Sequence, residues 1–337
     1  MSRPLRTLPQ KDSARNIKSR VGAGSIKGDC DLFKGFPKTI FHIMEGRMEN
    51  PETEMRAYDL MQPGRRLTPL VFASPHSGRH YPADFVSRSQ LEGHQLRSSE
   101  DAFVDRLFDD VPNHGAPLLA ARLPRAWIDV NRAADELDPA LIEGQRRGAH
   151  NPRVASGLGV IPRVVSGGRP IYSGKLSQTE VRDRLRHAWQ PYHASLRRLM
   201  NESVEAFGQA ILIDCHSMPH EALDQVRVQG RRPEVVLGDR FGASAGRDIT
   251  DMIEAEFARE GFVVSRNSPF AGAFVAQHYG RPRAGRHVIQ VELDRACYMD
   301  EATLTPHSGF ADVKARLTAV VARLCQTGRR DESLAAE

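Results

Sequence analysis

Nowhere in its 337 residues does this sequence contain a run of about 18 apolar residues, so no membrane-spanning helix is predicted and no membrane partner is expected. Cysteine is scarce. Cys30, Cys215, Cys297 and Cys325 stand far apart and none forms a CxxC pair. That spacing argues against a disulfide framework and against a cysteine-built zinc knuckle, and makes a reducing, cytoplasmic setting the expectation. Acid is almost missing from the first 28 residues, where Asp12 stands alone against Arg3, Arg6, Lys11, Arg15, Lys18, Arg20 and Lys27. The formal net charge is +5, so the remainder of the chain is nearly neutral. There is no zinc-finger or RRM-type signature, and no nucleic-acid partner is expected; a basic site in the folded part would suit a small anionic substrate better.

Residues 1–54 hold no apolar core of a secretory signal and no sustained periodicity. They read as a basic, disordered extension, with Met48 or Met55 as alternative natural starts, and residues 328–337 as a flexible tail. With 40% hydrophobic and 26% charged residues the chain as a whole is globular, and residues 55–327 are long enough for one large α/β domain.

From Leu67 onward short apolar runs alternate with longer amphipathic ones, the pattern of a sheet covered by helices. Strands are predicted at Pro69–Ala73, Pro117–Arg122, Trp127–Asn131, Ala210–Cys215, Glu234–Gly238, Phe262–Ser265 and His287–Leu293. Their nearly continuous apolar character suits a mixed, mostly parallel sheet buried on both faces, in a single three-layer domain. A helix should start at Ser177, where Ser177 and Glu180 make a capping box, and run towards Phe207 with a kink or break at Pro191. Arg247–Glu260 and Phe310–Cys325 read as further helices.

The polar residues cluster where such strands end, which is where an open α/β sheet binds its ligands. His76 follows Leu70-Val71-Phe72 in a turn, and Asp214-Cys215-His216 ends a second apolar run. Alternation puts Asp214 and His216 on one face and Cys215 on the other, which favours His216 as a metal ligand over a Cys–His dyad. A hydrolytic metal site usually needs three protein ligands. Glu100 or Asp101 could supply the third, or both could simply favour the N-terminus of a helix at Ala102–Phe108. Asp129 and Asn131 are expected on one face of their strand, and Asn131 with Arg132 suits the grip of a carboxylate. Glu292 sits inside an apolar run, with Gln290 facing the same way. It is either a general base with a raised pKa or half of a buried ion pair, for example with Arg295. Arg266, His278 and Tyr279 fall in a stretch of small and polar residues that reads as a substrate loop.

In order along the chain, Pro75-His76-Ser77-Gly78, Ile128-Asp129-Val130-Asn131-Arg132, Asp214-Cys215-His216-Ser217, Gln277-His278-Tyr279-Gly280 and Gln290-Val291-Glu292-Leu293 resemble the N-formylglutamate amidohydrolases. Gly159-Val160-Ile161-Pro162 and Trp189-Gln190-Pro191-Tyr192-His193 add to the resemblance, which spans roughly residues 68–326. The chain departs from the family pattern around Ser98–Asp101 and at Arg266–Gly272. The resemblance implies a fold related to the zinc carboxypeptidases and the phosphorylase/hydrolase-like proteins. It also implies one zinc ion per chain on His76, His216 and Asp101 (or Glu100), although such ligands accept other divalent ions. Glu292 would be the general base, Arg266 or His278 would stabilise the oxyanion, and Arg132 with Asn131, near Asp129 and Tyr279, would hold the substrate. The implied reaction is hydrolysis of N-formyl-L-glutamate to L-glutamate and formate, by a monomer or small homo-oligomer. A zinc hydrolase for another N-acyl amino acid or small peptide is the nearest alternative, and a non-catalytic binding protein on the same scaffold the next.

Overall fold

Seven short apolar segments pair into one sheet. They are β1 (Tyr58–Met61), β2 (Leu70–Ser74), β3 (Leu118–Ala121), β4 (Ala210–Met218), β5 (Val235–Gly238), β6 (Val264–Arg266) and β7 (Arg286–Asp294). A computed structural model describes residues 56–327 except 147 and 149; the extension at 1–54 and the tail at 328–337 expected above lie outside the described residues. The strand order is β1-β3-β2-β4-β7-β5-β6. β3, β2, β4 and β7 run parallel, whereas β1 is antiparallel to β3 and β5 antiparallel to β7. The chain moves from β2 to β3 on one side and then returns to place β4 on the other side of β2. That reversal is a topological switch point, and it opens a crevice at the carboxyl ends of β2 and β4.

Helices cover both faces: α1 (Ala83–Arg88), α2 (Gly93–Arg97), α3 (Val104–Leu107), α4 (Pro152–Ala155), α5 (Gln178–Arg184), α6 (Gln190–Phe207), α7 (Arg247–Arg259), α8 (Phe274–Tyr279) and α9 (Phe310–Thr327). Phe72, Ile211, Ile213, Val291 and Leu293 face Ile253, Phe257, Leu317 and Val321 of α7 and α9. On the opposite face Val71, Ala73, Leu212 and Val288 pack on Tyr192, Leu196 and Leu199 of α6 and on Val275 of α8. Each such buried side chain contributes about 1.5–3 kcal/mol, so the three layers are held mainly by apolar burial. Cys215 lies in the first cluster and so points away from His216, as strand alternation requires. No helix among the described residues is long and apolar enough to cross a membrane.

Two elements differ from the sequence reading. Trp127–Asn131 is a turn: the Trp127 and Ile128 amides donate to the Pro124 carbonyl, and Arg132 N–H to that of Asp129. Its apolar residues are buried in a separate cluster with Leu141, Val160 and Ile161, inside the long connection between β3 and α5. Apolar content there reports loop packing and not strand pairing. β1 escaped notice because it is a half-exposed edge strand carrying Asp59, with no apolar run. The Ser177 hydroxyl does cap α5, accepting from Glu180 N–H at 3.2 Å. The interruption at Pro191 takes the form of a π-helical turn, Leu185–Trp189, that joins α5 to α6 without a break.

Gly78 explains part of the first motif. A Cβ there would overlap the Leu123 carbonyl, so only glycine lets the loop after β2 press on the chain leaving β3. Gly78→Ala should cost about 1–3 kcal/mol by overpacking. Gly64→Ala, where a Cβ meets nothing within 4 Å, is the matched control and should be near neutral. Chemical denaturation of both variants checks this.

Candidate active site

β2, β4 and β7 each deliver one polar side chain to the crevice. His76 stands two residues beyond β2, and His216 and Glu292 are register partners near the ends of β4 and β7. Asp101 is brought in by its own backbone, whose N–H donates to the His76 carbonyl at 3.0 Å. Ligand atoms of His76, Asp101 and His216 all lie within 4.8 Å of one another, and all three residues are buried. Asp101 Oδ2 is 3.0 Å from His216 Nδ1 and 3.4 Å from His76 Nδ1.

The outer nitrogens are fixed in turn. His76 Nε2 is 2.7 Å from Asp129 Oδ1. His216 Nε2 lies 3.1 Å from Asp214 Oδ2 and 3.2 Å from Asn131 Nδ2. With Nε2–H donated to Asp129, His76 Nδ1 presents a lone pair towards a carboxylate oxygen, and it is buried without a hydrogen-bond partner. A cation among these three atoms satisfies all of them. The donor set therefore fits a divalent metal, with carboxylates behind both imidazoles.

The structure separates the two acids left open above. Glu100 accepts from Arg97 Nε and Nη2, both at 3.0 Å, and from the Tyr81 hydroxyl at 2.5 Å, so its carboxylate is occupied away from the histidines. Asp101 is held by Arg295 Nη2 at 3.0 Å. Burial opposes ionisation of Asp101, but His216 and His76 outweigh it and hold its carboxyl well below the usual range. Asp129 behaves likewise: burial is outweighed by His76, Arg125 and Arg132.

Glu292 is the opposite case. Burial dominates and, with Asp101 nearby, lifts its pKa to about 7 against the pull of His216. Gln290 Nε2 donates to Glu292 Oε1 at 2.7 Å, and Ala273 N–H fixes Gln290 Oε1 at 2.9 Å. Arg295 serves Asp101 and the Ser217 hydroxyl, so an ion pair with Glu292 is not what it makes.

A cavity of about 750 Å³ opens over these residues, lined by Arg125, Arg132, Arg153 and Arg295 and walled by Val164–Gly168 and Pro269–Ala273. Arg132 is anchored by donation to the carbonyls of Leu158 and Asn131. Asp129 and Asn131 are engaged with the histidines; Asn131 N–H caps Asp129 Oδ1 at 2.8 Å, and Asn131 Oδ1 accepts from Val275 N–H. Besides Glu100, three expected site residues do not line the cavity. Arg266 is paired with Asp251 and Glu254 of α7. His278 is exposed and stacks on Phe274. The Tyr279 hydroxyl is 2.9 Å from His193 Nδ1, whose Nε2 meets the Val130 carbonyl, so this pair props the Asp129–Arg132 turn from beneath. Arg125 was missed: it precedes the misread segment and carries no motif of its own.

The family model of N-formylglutamate amidohydrolase matches residues 68–299. An N-formylglutamate deformylase of Pseudomonas aeruginosa is 31% identical over 272 residues, covering 78% of this chain and 93% of the relative. One from Pseudomonas putida is 30% identical over 240 residues, covering 69% and 82%. The chain belongs to the N-formylglutamate amidohydrolase family. It is thus an amide-hydrolysing enzyme. The crystal structure of N-formylglutamate amidohydrolase from Ralstonia eutropha JMP134 is similar with a TM-score of 0.75 and 36% identity, over 81% of this chain and 98% of that one. A gene product of Agrobacterium tumefaciens, Atu2144, shares the fold at 14% identity and a TM-score of 0.57, over 82% and 97%. In this family member the matched segment holds every residue of the buried cluster, from His76 to Glu292.

Asp101→Asn is expected to weaken divalent-metal binding by more than about 100-fold, because a ligand and its charge are lost together. Glu100→Gln should keep metal affinity and lose only stability. Competition with a chromophoric chelator distinguishes the two; equal losses would remove Asp101 from the ligand set.

Proposed function

We propose that this chain hydrolyses the formyl amide of N-formyl-L-glutamate, giving formate and L-glutamate, with zinc on His76, Asp101 and His216. The observation that carries the reading is the convergence of His76 Nδ1, Asp101 Oδ2 and His216 Nδ1 beside Glu292. The relatives named N-formylglutamate deformylase support the substrate. When bound, a divalent ion there supplies Lewis acidity, polarising the amide carbonyl and acidifying water.

The chain's own residues do the remaining work. Gln290 occupies Glu292 Oε1, which leaves Oε2 to move the proton. A carboxyl with a pKa of about 7 takes a proton from the attacking water and returns it to the leaving nitrogen as the C–N bond breaks. Arg125 lines the cavity with its Nε held by Asp129 at 3.0 Å, so its remaining N–H groups suit the oxyanion role first expected of Arg266 or His278. Arg132, fixed through two backbone carbonyls, is preorganised to hold the α-carboxylate, while Asp129 and Asn131 orient the two imidazoles. A cytosolic setting belongs to the same reading; Cys215 and Cys297 are free thiols.

Metal analysis together with formate release from N-formyl-L-glutamate, before and after chelation, tests this. About one zinc per chain with chelator-sensitive release is expected; metal without formate would move the reading to another N-acyl amino acid, and absence of both would end it. Glu292→Gln should retain metal yet lower kcat by about 100- to 10,000-fold. Wild-type kcat/KM should fall about tenfold per pH unit below the Glu292 pKa, since acid protonates the base. That limb lies near or below pH 7, because a nearby cation favours the carboxylate. A flat profile between about pH 5 and 8 would assign the proton transfer elsewhere.

A further inference from the structure

Four arginines line the cavity, and three are committed. Arg125 donates to Asp129, Arg295 to Asp101 and Ser217, and Arg132 to two backbone carbonyls. Arg153, on α4 at the rim, has an exposed side chain with no hydrogen-bond or ion-pair partner among the described residues. Its backbone is not loose. Arg153 N–H donates to Asn151 Oδ1 at 3.0 Å, and Asn151 Nδ2 donates to Glu136 Oε2 at 3.2 Å, which ties this turn to the body of the fold.

The charge balance of the cavity favours an anionic ligand. The lining carboxylates are Asp101, Asp129 and Glu292, one fewer than the arginines, and a divalent ion adds to the positive excess. Arg153 also sits near enough to Arg132 to help lower the pKa of that guanidinium, behind the larger effect of burial. Two like charges facing one cavity, one of them without a partner, are compensated by a dianion better than by a monoanion. Arg132 is buried and fixed, whereas Arg153 lines the same cavity from its exposed side.

We propose that Arg153 is the specificity-determining residue for the side-chain carboxylate of the substrate, while Arg132 holds the α-carboxylate. The proposal rests on the deformylase reading above and adds to it the residue that selects acidic over isosteric neutral side chains. A planar guanidinium at the rim can bind such a carboxylate bidentately, and an ammonium cannot.

The test uses the full-length, zinc-loaded chain with N-formyl-L-glutamate and N-formyl-L-glutamine, and reads the ratio of their kcat/KM values. Wild type should prefer the dianion. Arg153→Gln should cut the ratio by about 10- to 100-fold, chiefly through KM for N-formyl-L-glutamate, and Arg153→Lys should fall between. A ratio unchanged in Arg153→Gln, or a wild type without preference, overturns the role of Arg153 while leaving the deformylase reading intact. A wild type that releases formate from neither substrate overturns that reading and this inference with it. Arg153 is exposed, so a thermal melt of Arg153→Gln matching wild type shows that the ratio reports recognition and not folding.

Discussion

The parallel ladder between β4 and β7 is the constraint on which the site depends. It runs for nine register pairs, from Ala210 opposite Arg286 to Met218 opposite Asp294, and sets His216 beside Glu292. A slip of one residue in either strand would turn its side chain into the opposite layer and part the pair. The apolar residues between them, Ile211, Ile213, Ile289 and Val291, prevent that slip because they fill the layer against α7 and α9. Core packing on one face thereby holds the geometry of the chemistry on the other.

Around that pair the protein concentrates charge it would otherwise avoid. Asp101, Asp129 and Asp214 are buried beside two imidazoles, Arg295 is buried beside Asp101, and Arg125 is half-buried beside Asp129. Isolated, each buried charge would cost several kcal/mol. Interlocked, they define positions: Arg295 aims Asp101, Asp129 aims His76, and Asn131 is aimed by Val275. At Glu292, unlike Asp101 and Asp129, burial is not outweighed, and its hydrogen-bond partner is a neutral amide. That difference in surroundings separates Asp101 and Asp129, which stay ionised, from a carboxyl able to exchange a proton near neutrality.

Much of the frame was legible in the residues. Apolar runs ending in His76, in Asp214-Cys215-His216 and in Gln290-Val291-Glu292 announced strands with polar ends, and six of the seven strands correspond to such runs. The segment Trp127–Asn131 misled because a buried loop and a buried strand have the same composition; only the carbonyl of Pro124 and its two donors make it a turn. Arg266 and His278 looked suited to an anion, yet one had acids waiting on α7 and the other an aromatic face. Arg125, two residues before Trp127, had nothing local to mark it.

The sequence by itself determined the layered α/β class, the order of the strands along the chain and the chemical types available at their ends. Those follow from periodicity and burial, which act over a few neighbouring residues. Tertiary structure decided which acid of Glu100-Asp101 meets the histidines, which arginines share the cavity, and which candidates are spent on structural pairs. These depend on contacts across 100 or more positions, such as Arg295 with Asp101 or Asn131 with Val275. No local pattern encodes them, because such contacts exist only once the sheet has closed its register and the loops have settled over its edge.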